Sequence, residues 1–377
     1  NTPRINSPKD EIAAGDGAPR IEFYRIKTPR LSGESQAMKQ YYSTCPAGLE
    51  GIVKDLLREK LGGCRIRRLL SGALLYEADA PAGEMDCLQN TYEVIALRPR
   101  CARFQEALRW AASDGRLARF ADQAMRRWGF KRFRVMFSEA NRLSQADPRA
   151  RAALEKGITA ARVDRVNPDT ELLLLWRSEG LALLLLRLTR RVNNRQTLKR
   201  GELSPAVAQC MVFLAHPRPD HVFLDPFSGH GALGAARAQS GFREMALLDI
   251  DGEMVRETRE KLQRVRRSVK GRLTVQRGDA LNLASIVPPE SVDEIVTDPP
   301  WGLYEPLPLP PEAFYPAMLK SFCGVLRPGG YLVLLSADKA HFERALRAES
   351  GLRWVEKKDI LVNGKKAAIY LAQREET

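Results

Sequence analysis

A stiff acidic loop, Asp298-Pro299-Pro300-Trp301, interrupts the C-terminal half of this 377-residue chain. It follows residues 293–296, which read as the end of a buried strand. Two consecutive prolines cannot continue a strand ladder, so the chain has to leave the sheet here. The loop offers a carboxylate, two carbonyls and a flat indole. Such a set can hold a planar amine, although a simple capped turn would show the same short motif.

Four successive predicted strands in residues 202–377 each end at a polar motif. The alternation of short apolar strands with helical stretches predicts a doubly wound α/β domain in this part of the chain. Because the carboxyl ends of parallel strands meet at one edge of a sheet, the four motifs should share one crevice. In chain order they are Asp225-Pro226-Phe227-Ser228-Gly229-His230-Gly231, Asp249-Ile250-Asp251, Asp279-Ala280 and Asp298-Pro299-Pro300-Trp301.

The types of residue in these motifs suit a nucleoside cofactor. Gly229 and Gly231 let the backbone approach a ligand closely, and the helix that follows them begins with free N–H groups. Asp249 can accept both hydroxyls of a ribose, and Asp279 can accept a hydrogen bond from an adenine amino group. Each motif alone could be a structural turn. Four of them at one sheet edge favour a cofactor site.

The N-terminal half predicts smaller α+β units. Residues 1–38 are rich in Pro, Gly, Ser and charge, which predicts a flexible leader with a strand near residues 21–26. Residues 39–98 read strand-helix-strand-strand-helix-strand, with the second helix at residues 82–90. This is the split βαβ order of a ferredoxin-like module.

A second module and a basic segment follow. Residues 99–188 contain a basic helix at 115–128 and two leucine-rich strands, of which the second reads as buried on both faces. Residues 189–201 carry five Arg or Lys residues. A solvated linker is the usual meaning of such a run, and contact with phosphates is its alternative.

Charge and cysteine usage narrow the classes of function. The formal net charge of +14 indicates a polyanionic partner, either nucleic acid or an anionic membrane surface. No apolar run approaches the roughly 20 residues that a membrane-spanning helix needs, and the polar N-terminus predicts no signal peptide. The six scattered cysteines form no Cys-x-x-Cys pair, and the four histidines show no metal-ligand spacing with them. We therefore expect a reducing cytoplasm and no metal site.

On these motifs, residues 200–373 resemble the class I S-adenosylmethionine-dependent methyltransferases. The run from Asp225 to Gly231 is similar to that family's first motif, and Asp298-Pro299-Pro300-Trp301 is similar to its amino-methylating motif. His230 stands where Ser or Thr is common, and we expect its ring to lie over the cofactor. Trp301 stands where Tyr or Phe is common, which preserves stacking. The resemblance implies catalytic roles for Asp298, Pro299, Pro300 and Trp301, and binding of S-adenosyl-L-methionine by Asp225, Pro226, Ser228, Gly229, Gly231, Asp249, Ile250, Asp279, Ala280 and Asp298.

The N-terminal half resembles a ferredoxin-like module followed by a THUMP domain. The stretch from Arg162 to Asp169 and the pair Arg134-Val135 carry this likeness. Together the two halves resemble the THUMP-containing tRNA guanine-N2-methyltransferases. The implied fold is α/β, with a C-terminal Rossmann-like class I methyltransferase domain (202–377) preceded by α+β ferredoxin-like and THUMP modules. The implied reaction is methylation of the exocyclic N2 of a guanosine in the tRNA acceptor stem.

Two rival functions stay open on the sequence. An adenine-N6 methyltransferase acting on RNA or DNA could use the same Asp-Pro-Pro-Trp loop, although the THUMP-like half argues against DNA. A catalytically silent RNA-binding protein on a methyltransferase fold is the other rival, and the presence of Asp249, Asp279 and Asp298 argues against it. The sequence also leaves open whether a small activating protein partner is needed.

Overall fold

The structure is a computed structural model, and it describes most of the chain. The described residues are 38–82, 85–145, 147–189, 198–199, 201–266, 271–302, 306–362 and 364–376. The predicted leader, with its strand at residues 21–26, lies outside them except for residue 38. Most of the predicted linker, residues 190–197 and 200, also lies outside them.

The described N-terminal residues form one nine-stranded sheet with helices packed on it. Its strands are β1 (Lys39–Thr44), β2 (Arg65–Leu70), β3 (Ala73–Ala78), β4 (Asn90–Pro99), β5 (Arg132–Glu139), β6 (Arg142–Leu143), β7 (Arg162–Val163), β8 (Thr170–Arg177) and β9 (Leu181–Arg187). The helices are α1 (Glu50–Lys60), α2 (Phe104–Ser113), α3 (Arg116–Trp128) and α4 (Pro148–Lys156). The strand order is β2-β3-β1-β4-β9-β8-β5-β6, and β7 pairs with β5.

Strand β9 explains the leucine run of the sequence. All seven of its residues are buried. Ala182, Leu184 and Leu186 join the apolar core formed with α2, α3 and α4. Leu183 and Leu185 point to the opposite face and join a separate apolar cluster. Because successive strand side chains alternate between faces, a strand buried on both faces reads as a continuous apolar segment.

Three features of the N-terminal half differ from the sequence-based prediction. The helix expected at residues 82–90 is wrong, because the described residues there lie in turns up to the start of β4. Ala82 and Cys87 are buried in an apolar cluster that includes residues of the C-terminal domain, so tertiary contacts override a short, weak helical pattern. Helix α2 was not expected at all. The sheet also continues across residue 98, because β4 pairs with β9.

The C-terminal residues form the expected doubly wound domain, which confirms the predicted fold class. Its strands are β10 (Val222–Asp225), β11 (Glu244–Asp249), β12 (Arg272–Arg277), β13 (Val292–Thr297), β14 (Leu326–Ser336), β15 (Leu352–Val362) and β16 (Lys365–Arg374). The helices are α5 (Pro205–Leu214), α6 (Ala232–Arg237), α7 (Gly252–Arg266), α8 (Pro311–Val325) and α9 (Lys339–Ala348), with 3-10 turns at Ala238–Ser240 and Ala280–Ser285. The strand order is β12-β11-β10-β13-β14-β16-β15, and β16 is antiparallel to both of its neighbours.

The two halves of the chain share an apolar core. Ile52 and Leu56 of α1 belong to the same buried cluster as Val207 and Met211 of α5. Polar contacts reinforce this packing, since the Cys87 N–H donates to the Gln209 side chain. No helix that the described residues form is long and apolar enough to cross a membrane.

Candidate active site

The four motifs singled out in the sequence lie where the topology of the C-terminal sheet reverses. They follow β10, β11, β12 and β13, which are neighbouring parallel strands. The chain runs outward from β10 to β11 and β12, and then returns to place β13 on the other side of β10. A crevice at the carboxyl ends of the strands beside such a switch point is the usual ligand site of a doubly wound sheet.

The glycine-rich loop between β10 and α6 is held by helix α7. Gly231, the residue before α6, has a φ of 73°, and a Cβ there would lie 3.0 Å from the Thr258 methyl carbon. The Thr258 hydroxyl in turn donates to the Gly229 carbonyl at 2.6 Å. Only glycine fits such a position without strain. The hydroxyl oxygen of Ser228 is buried and has no hydrogen-bond partner among the described residues.

Asp249 closes the crevice from the end of β11. Its two carboxylate oxygens accept the backbone N–H groups of Gly229 (2.8 Å) and Asp251 (2.9 Å). Burial raises the pKa of Asp249, and these backbone hydrogen bonds oppose the increase. The next residue, Ile250, exposes 62% of its surface, which is unusual for a large apolar side chain. The carboxyl group of Asp249, a hydrogen-bond acceptor, is therefore followed directly by the exposed apolar side chain of Ile250.

His230 is tied to helix α7. Its Nδ1 lies 2.8 Å from Glu257 Oε2, and Lys199 Nζ lies 2.8 Å from the same oxygen. The expectation that the ring lies over a cofactor is untested, but the ring has a partner in the protein. Glu257 and Thr258, neighbours on one helix, thus hold both sides of the glycine-rich loop, and nothing in the sequence pattern singled them out.

Two of the five carboxyls in the four motifs have strongly raised pKa values. Burial raises the pKa of Asp225 to about 8; the hydrogen bond from the Thr297 hydroxyl (2.8 Å) opposes the increase, and the charges of Asp249 and Asp298 add to it. Burial also raises the pKa of Asp298 to about 7. Perturbed carboxyls gathered in one crevice are typical of functional sites.

The acidic loop after β13 has a defined internal geometry. The indole N–H of Trp301 donates to Asp298 Oδ1 at 3.0 Å. The second oxygen, Oδ2, has no hydrogen-bond partner among the described residues. Pro299 is buried, while Pro300 and Trp301 are half-buried. The loop therefore keeps one carboxylate oxygen available next to a fixed aromatic ring.

The remaining predicted residues lie at the same edge of the sheet. Asp279 is exposed and starts the 3-10 turn after β12 by accepting the Leu281 N–H at 2.9 Å. Ala280 is buried beneath it. Pro226 is buried directly after β10. Among the described residues, no group of His, Cys, Asp and Glu could hold a metal ion.

An open cleft of about 530 Å³ adjoins the acidic loop. It is lined by Trp301, Gly302, Leu307, Pro308, Leu309, Pro310, Pro311 and Asp338. Asp338 follows β14, the parallel strand next to β13. It is a fifth polar residue after a successive strand, so the pattern that singled out the other four would have found it. It is also the N-cap of helix α9, where its side chain accepts the His341 N–H.

The N-terminal half displays arginines that are available for a polyanion. Several of them are exposed and have no salt-bridge partner in the part of the chain that the structure describes, among them Arg98, Arg100, Arg103, Arg109 and Arg119. Arg98 lies near the end of β4, Arg100 and Arg103 lie between β4 and α2, and Arg109 and Arg119 lie on α2 and α3. Arginines without a carboxylate partner are the ones that can neutralise phosphates.

The fold and the crevice together define the class of this domain. A seven-stranded sheet of this order, with acidic residues after β11 and β12 and a glycine-rich turn after β10, is a Rossmann-like class I methyltransferase domain. Residues 192–368 match the family described as UPF0020: RMKL-like, methyltransferase domain.

Two curated relatives are similar to parts of the chain. A tRNA (guanine(10)-N2)-dimethyltransferase of Methanothermobacter thermautotrophicus is 38% identical over 113 residues, which are 30% of this chain and 32% of the relative. A tRNA (guanine(6)-N2)-methyltransferase of Thermus thermophilus is 34% identical over 179 residues, which are 46% of this chain and 51% of the relative. The chain thus matches about a third and about half of the length of these relatives.

The fold similarity to solved structures extends over most of the chain. The crystal structure of TrmN from Thermus thermophilus aligns with a TM-score of 0.68 and 23% identity, over 90% of this chain and all of that one (100%). A possible methylase from Clostridium difficile 630 aligns with a TM-score of 0.67 and 14% identity, over 90% and 99% of the two chains. The combination of N-terminal and C-terminal domains is therefore a shared fold.

Proposed function

We propose that this protein is an S-adenosyl-L-methionine-dependent tRNA methyltransferase that modifies the exocyclic N2 of a guanosine, with the acceptor stem as the proposed location. The observation that carries the proposal is Asp298, which holds the Trp301 indole with Oδ1 at the switch point of a methyltransferase sheet and whose Oδ2 has no hydrogen-bond partner among the described residues. The names of the two partial relatives, both tRNA guanine-N2-methyltransferases, support the same substrate class.

The residues of the crevice fit the proposed cofactor. The unpartnered, buried hydroxyl of Ser228 would hydrogen-bond its amino-acid end, near the backbone of Gly229 and Gly231. Asp249 would accept the ribose hydroxyls with its two carboxylate oxygens, whose hydrogen-bond donors among the described residues are backbone N–H groups. The exposed Ile250 would cover the adenine, and Asp279 with Ala280 would border its edge. When bound, S-adenosyl-L-methionine supplies an activated methyl group.

The acidic loop would position the N2 amine of the guanine for methyl transfer. Asp298 Oδ2 would accept one N2 hydrogen and the Pro299 carbonyl the other, which directs the nitrogen lone pair toward the methyl donor. A carboxyl with a pKa of about 7 can also take up a proton from the methylated nitrogen near neutral pH. Pro300 would stiffen the loop, and Trp301 would stack on the guanine. Positioning and charge stabilisation account for most of the rate in a reaction of this type.

The N-terminal half would hold the RNA. We retain a division into a ferredoxin-like module (39–98), a THUMP-like module (99–188), a basic linker (189–201) and the catalytic domain as part of this proposal. The exposed arginines near the end of β4, before α2, and on α2 and α3, which have no salt-bridge partner among the described residues, support RNA binding by this half. A flipped guanine costs a few kcal/mol of stacking and pairing, which contacts to the tRNA backbone would offset. The six free cysteines are in keeping with a cytoplasmic protein.

Nucleoside analysis tests the proposal directly. The protein would be incubated with unmodified tRNA and methyl-labelled S-adenosyl-L-methionine, and the digested nucleosides would be separated by mass spectrometry. We expect label in N2-methylguanosine. Label in N6-methyladenosine would identify the rival adenine enzyme, and cofactor binding without any labelled nucleoside would favour the silent RNA-binding rival. Addition of cell extract to the assay would show whether a small activating partner is needed.

A further inference from the structure

The cleft beside Trp301 contains a carboxylate that the proposed chemistry does not use. Asp338 is its only acidic lining residue among those described, and the rest of the lining is the Trp301 indole and apolar leucine and proline side chains. Strands β13 and β14 run in parallel, with Thr297 opposite Leu334. Asp298 and Asp338 therefore leave adjacent strands at the same edge of the sheet, one residue and two residues after the respective strand ends.

The Asp338 carboxylate is fixed in place. His341 Nδ1 lies 2.9 Å from both of its oxygens, and Ser336 Oγ accepts the Asp338 backbone N–H at 3.1 Å. His341 Nε2 lies 3.1 Å from Glu312 on helix α8, so the imidazole is held from both sides. The hydrogen bond to the carboxylate of Asp338 raises the pKa of His341, which favours the imidazolium form. The side chain of Asp338 is 21% exposed, so its oxygens can still reach a ligand.

The acidic loop alone does not distinguish guanine from adenine. Asp298 and the Pro299 carbonyl would accept hydrogen bonds from any exocyclic amine, whether it is the N2 of guanine or the N6 of adenine. The bases differ at N1, which carries a hydrogen in guanine and a lone pair in adenine. A fixed carboxylate facing N1 accepts the hydrogen of guanine, whereas it repels the lone pair of adenine. Specificity of this kind depends on a repulsive contact with the wrong base as well as an attractive one.

We propose that Asp338 is a specificity-determining residue, which accepts the N1–H of a guanine that stacks on Trp301 in this cleft. The inference rests on the proposed function, since it presupposes that the cleft receives the target base. It assigns to Asp338 a role separate from that of Asp298. Asp298 positions the amine that reacts, and Asp338 selects the base that carries it.

A base analogue in the RNA tests this assignment. The target guanosine, located by mapping the labelled position in the tRNA, would be replaced with 2-aminopurine, which keeps the amine at C2 but lacks the hydrogen at N1 and the oxygen at C6. For the full-length wild-type protein we expect single-turnover methylation of 2-aminopurine to be about 10- to 100-fold slower than that of guanosine, as for loss of a hydrogen bond to a charged group. The ratio of the guanosine rate to the 2-aminopurine rate measures the discrimination. Asp338→Asn should reduce this ratio at least about five-fold, because the amide can donate to the unprotonated N1.

The controls separate base recognition from a structural role. Asp338→Ser keeps a residue able to cap helix α9 and removes the carboxylate, so it should also reduce the ratio while retaining the melting temperature. Glu312→Gln changes the other partner of His341 without altering the lining of the cleft, and it should leave the ratio unchanged. Equal loss of both rates in the two Asp338 variants, or no discrimination by the wild type, would overturn the inference. Failure of the wild type to methylate guanosine would instead overturn the proposed function, and this inference with it.

Discussion

The carboxylate of Asp298 can be tested at the level of a single atom. Asp298→Asn keeps the size of the side chain and one carbonyl acceptor but removes the charge. Loss of a positioned acceptor from a transition state costs about 2.7–4 kcal/mol, so we expect a hundred- to thousand-fold slower methyl transfer at saturating tRNA and cofactor. The folded fraction and both binding affinities should stay close to those of the wild type. A single-turnover rate within a few-fold of wild type would remove Asp298 from the catalytic residues.

The same residue should give the reaction a pH dependence. The pKa of Asp298 is raised to about 7, so below that pH its carboxyl is protonated and accepts hydrogen bonds poorly. The single-turnover rate of the wild type should therefore rise as the pH increases through about 7 and then level off. Asp298→Asn, which does not titrate, should show no such step.

Asp225 should make the stability of the protein depend on pH. Its pKa is about 8 in the folded state and about 3.9 in an unfolded chain. Between these values the folded state binds the extra proton, so the stabilisation present below pH 4 is lost as the pH rises through 8. Both of its hydrogen bonds end on Oδ1, which Asn can also provide. Asp225→Asn should therefore gain stability over the wild type by at most about 1.4 kcal/mol per pH unit in this range.

Denaturant unfolding at pH 5 and pH 8, without cofactor, checks this expectation. Asp220→Asn serves as the control, because the Asp220 side chain is 68% exposed and its substitution should produce no pH-dependent difference. An equal stability difference between Asp225→Asn and wild type at both pH values would mean that Asp225 is ionised in the folded protein.

At the scale of elements, the contact between α7 and the glycine-rich loop should control cofactor affinity. Gly231→Ala places a Cβ at a φ of 73° and 3.0 Å from Thr258. We expect the loop to shift and S-adenosyl-L-methionine binding to weaken about ten-fold or more, which is about 1.4 kcal/mol. Calorimetric titration of the folded variant measures this. The additional change Thr258→Ser removes the crowding methyl and should restore part of the affinity.

Gly63→Ala is a matched control for the backbone strain. Gly63 has the same φ of 73°, but a Cβ there would meet nothing within 4 Å. Both alanine variants should lose about 1–2 kcal/mol of stability from the left-handed conformation. Only Gly231→Ala should lose cofactor affinity. Equal affinities in the two variants would show that Thr258 does not set the position of the loop.

At the scale of the whole molecule, the shared core joins the proposed RNA-binding half to the catalytic domain. Because α1 and α5 bury residues against each other, cutting the chain would expose apolar surface. Substitutions on the surface are therefore a cleaner test of RNA binding than isolated fragments. Arg98 at the end of β4 and Arg100 and Arg103 in the segment between β4 and α2 are close in sequence and exposed.

Replacing these three arginines with alanine should weaken tRNA binding and flatten its salt dependence. If each arginine neutralises one phosphate, the slope of log K against log salt concentration should fall by about one unit per residue. Arg218, Arg243 and Arg272 form a control set of equal charge, because they lie at the amino-terminal edge of the C-terminal sheet, opposite the crevice. Alanine substitution of the control set should leave the slope nearly unchanged, and equal effects of both sets would contradict the placement of the RNA.

The sequence alone determined the C-terminal fold and the location of most of the candidate site. The alternation of apolar residues in a strand and the polar motif at its end are both visible within a few residues of sequence. Strands β10 to β13 and the residues that follow them could therefore be predicted from local pattern. The continuous leucines of β9 also predicted its burial on both faces. These features are found in the structure as predicted because the local preference of the sequence and the final fold agree.

Tertiary structure decided what local pattern cannot encode. The segment at residues 82–90 reads as a helix, but burial of Ala82 and Cys87 against the other domain gives it turns. Pairing of β4 with β9 joins two predicted modules into one sheet across about ninety residues of chain. The hydrogen bond of Thr258 to the glycine-rich loop, and the lining of one cleft by both Asp338 and Trp301, also bring together residues from different elements. Each depends on how elements pack, since side-chain contacts of this kind form only once the chain is folded.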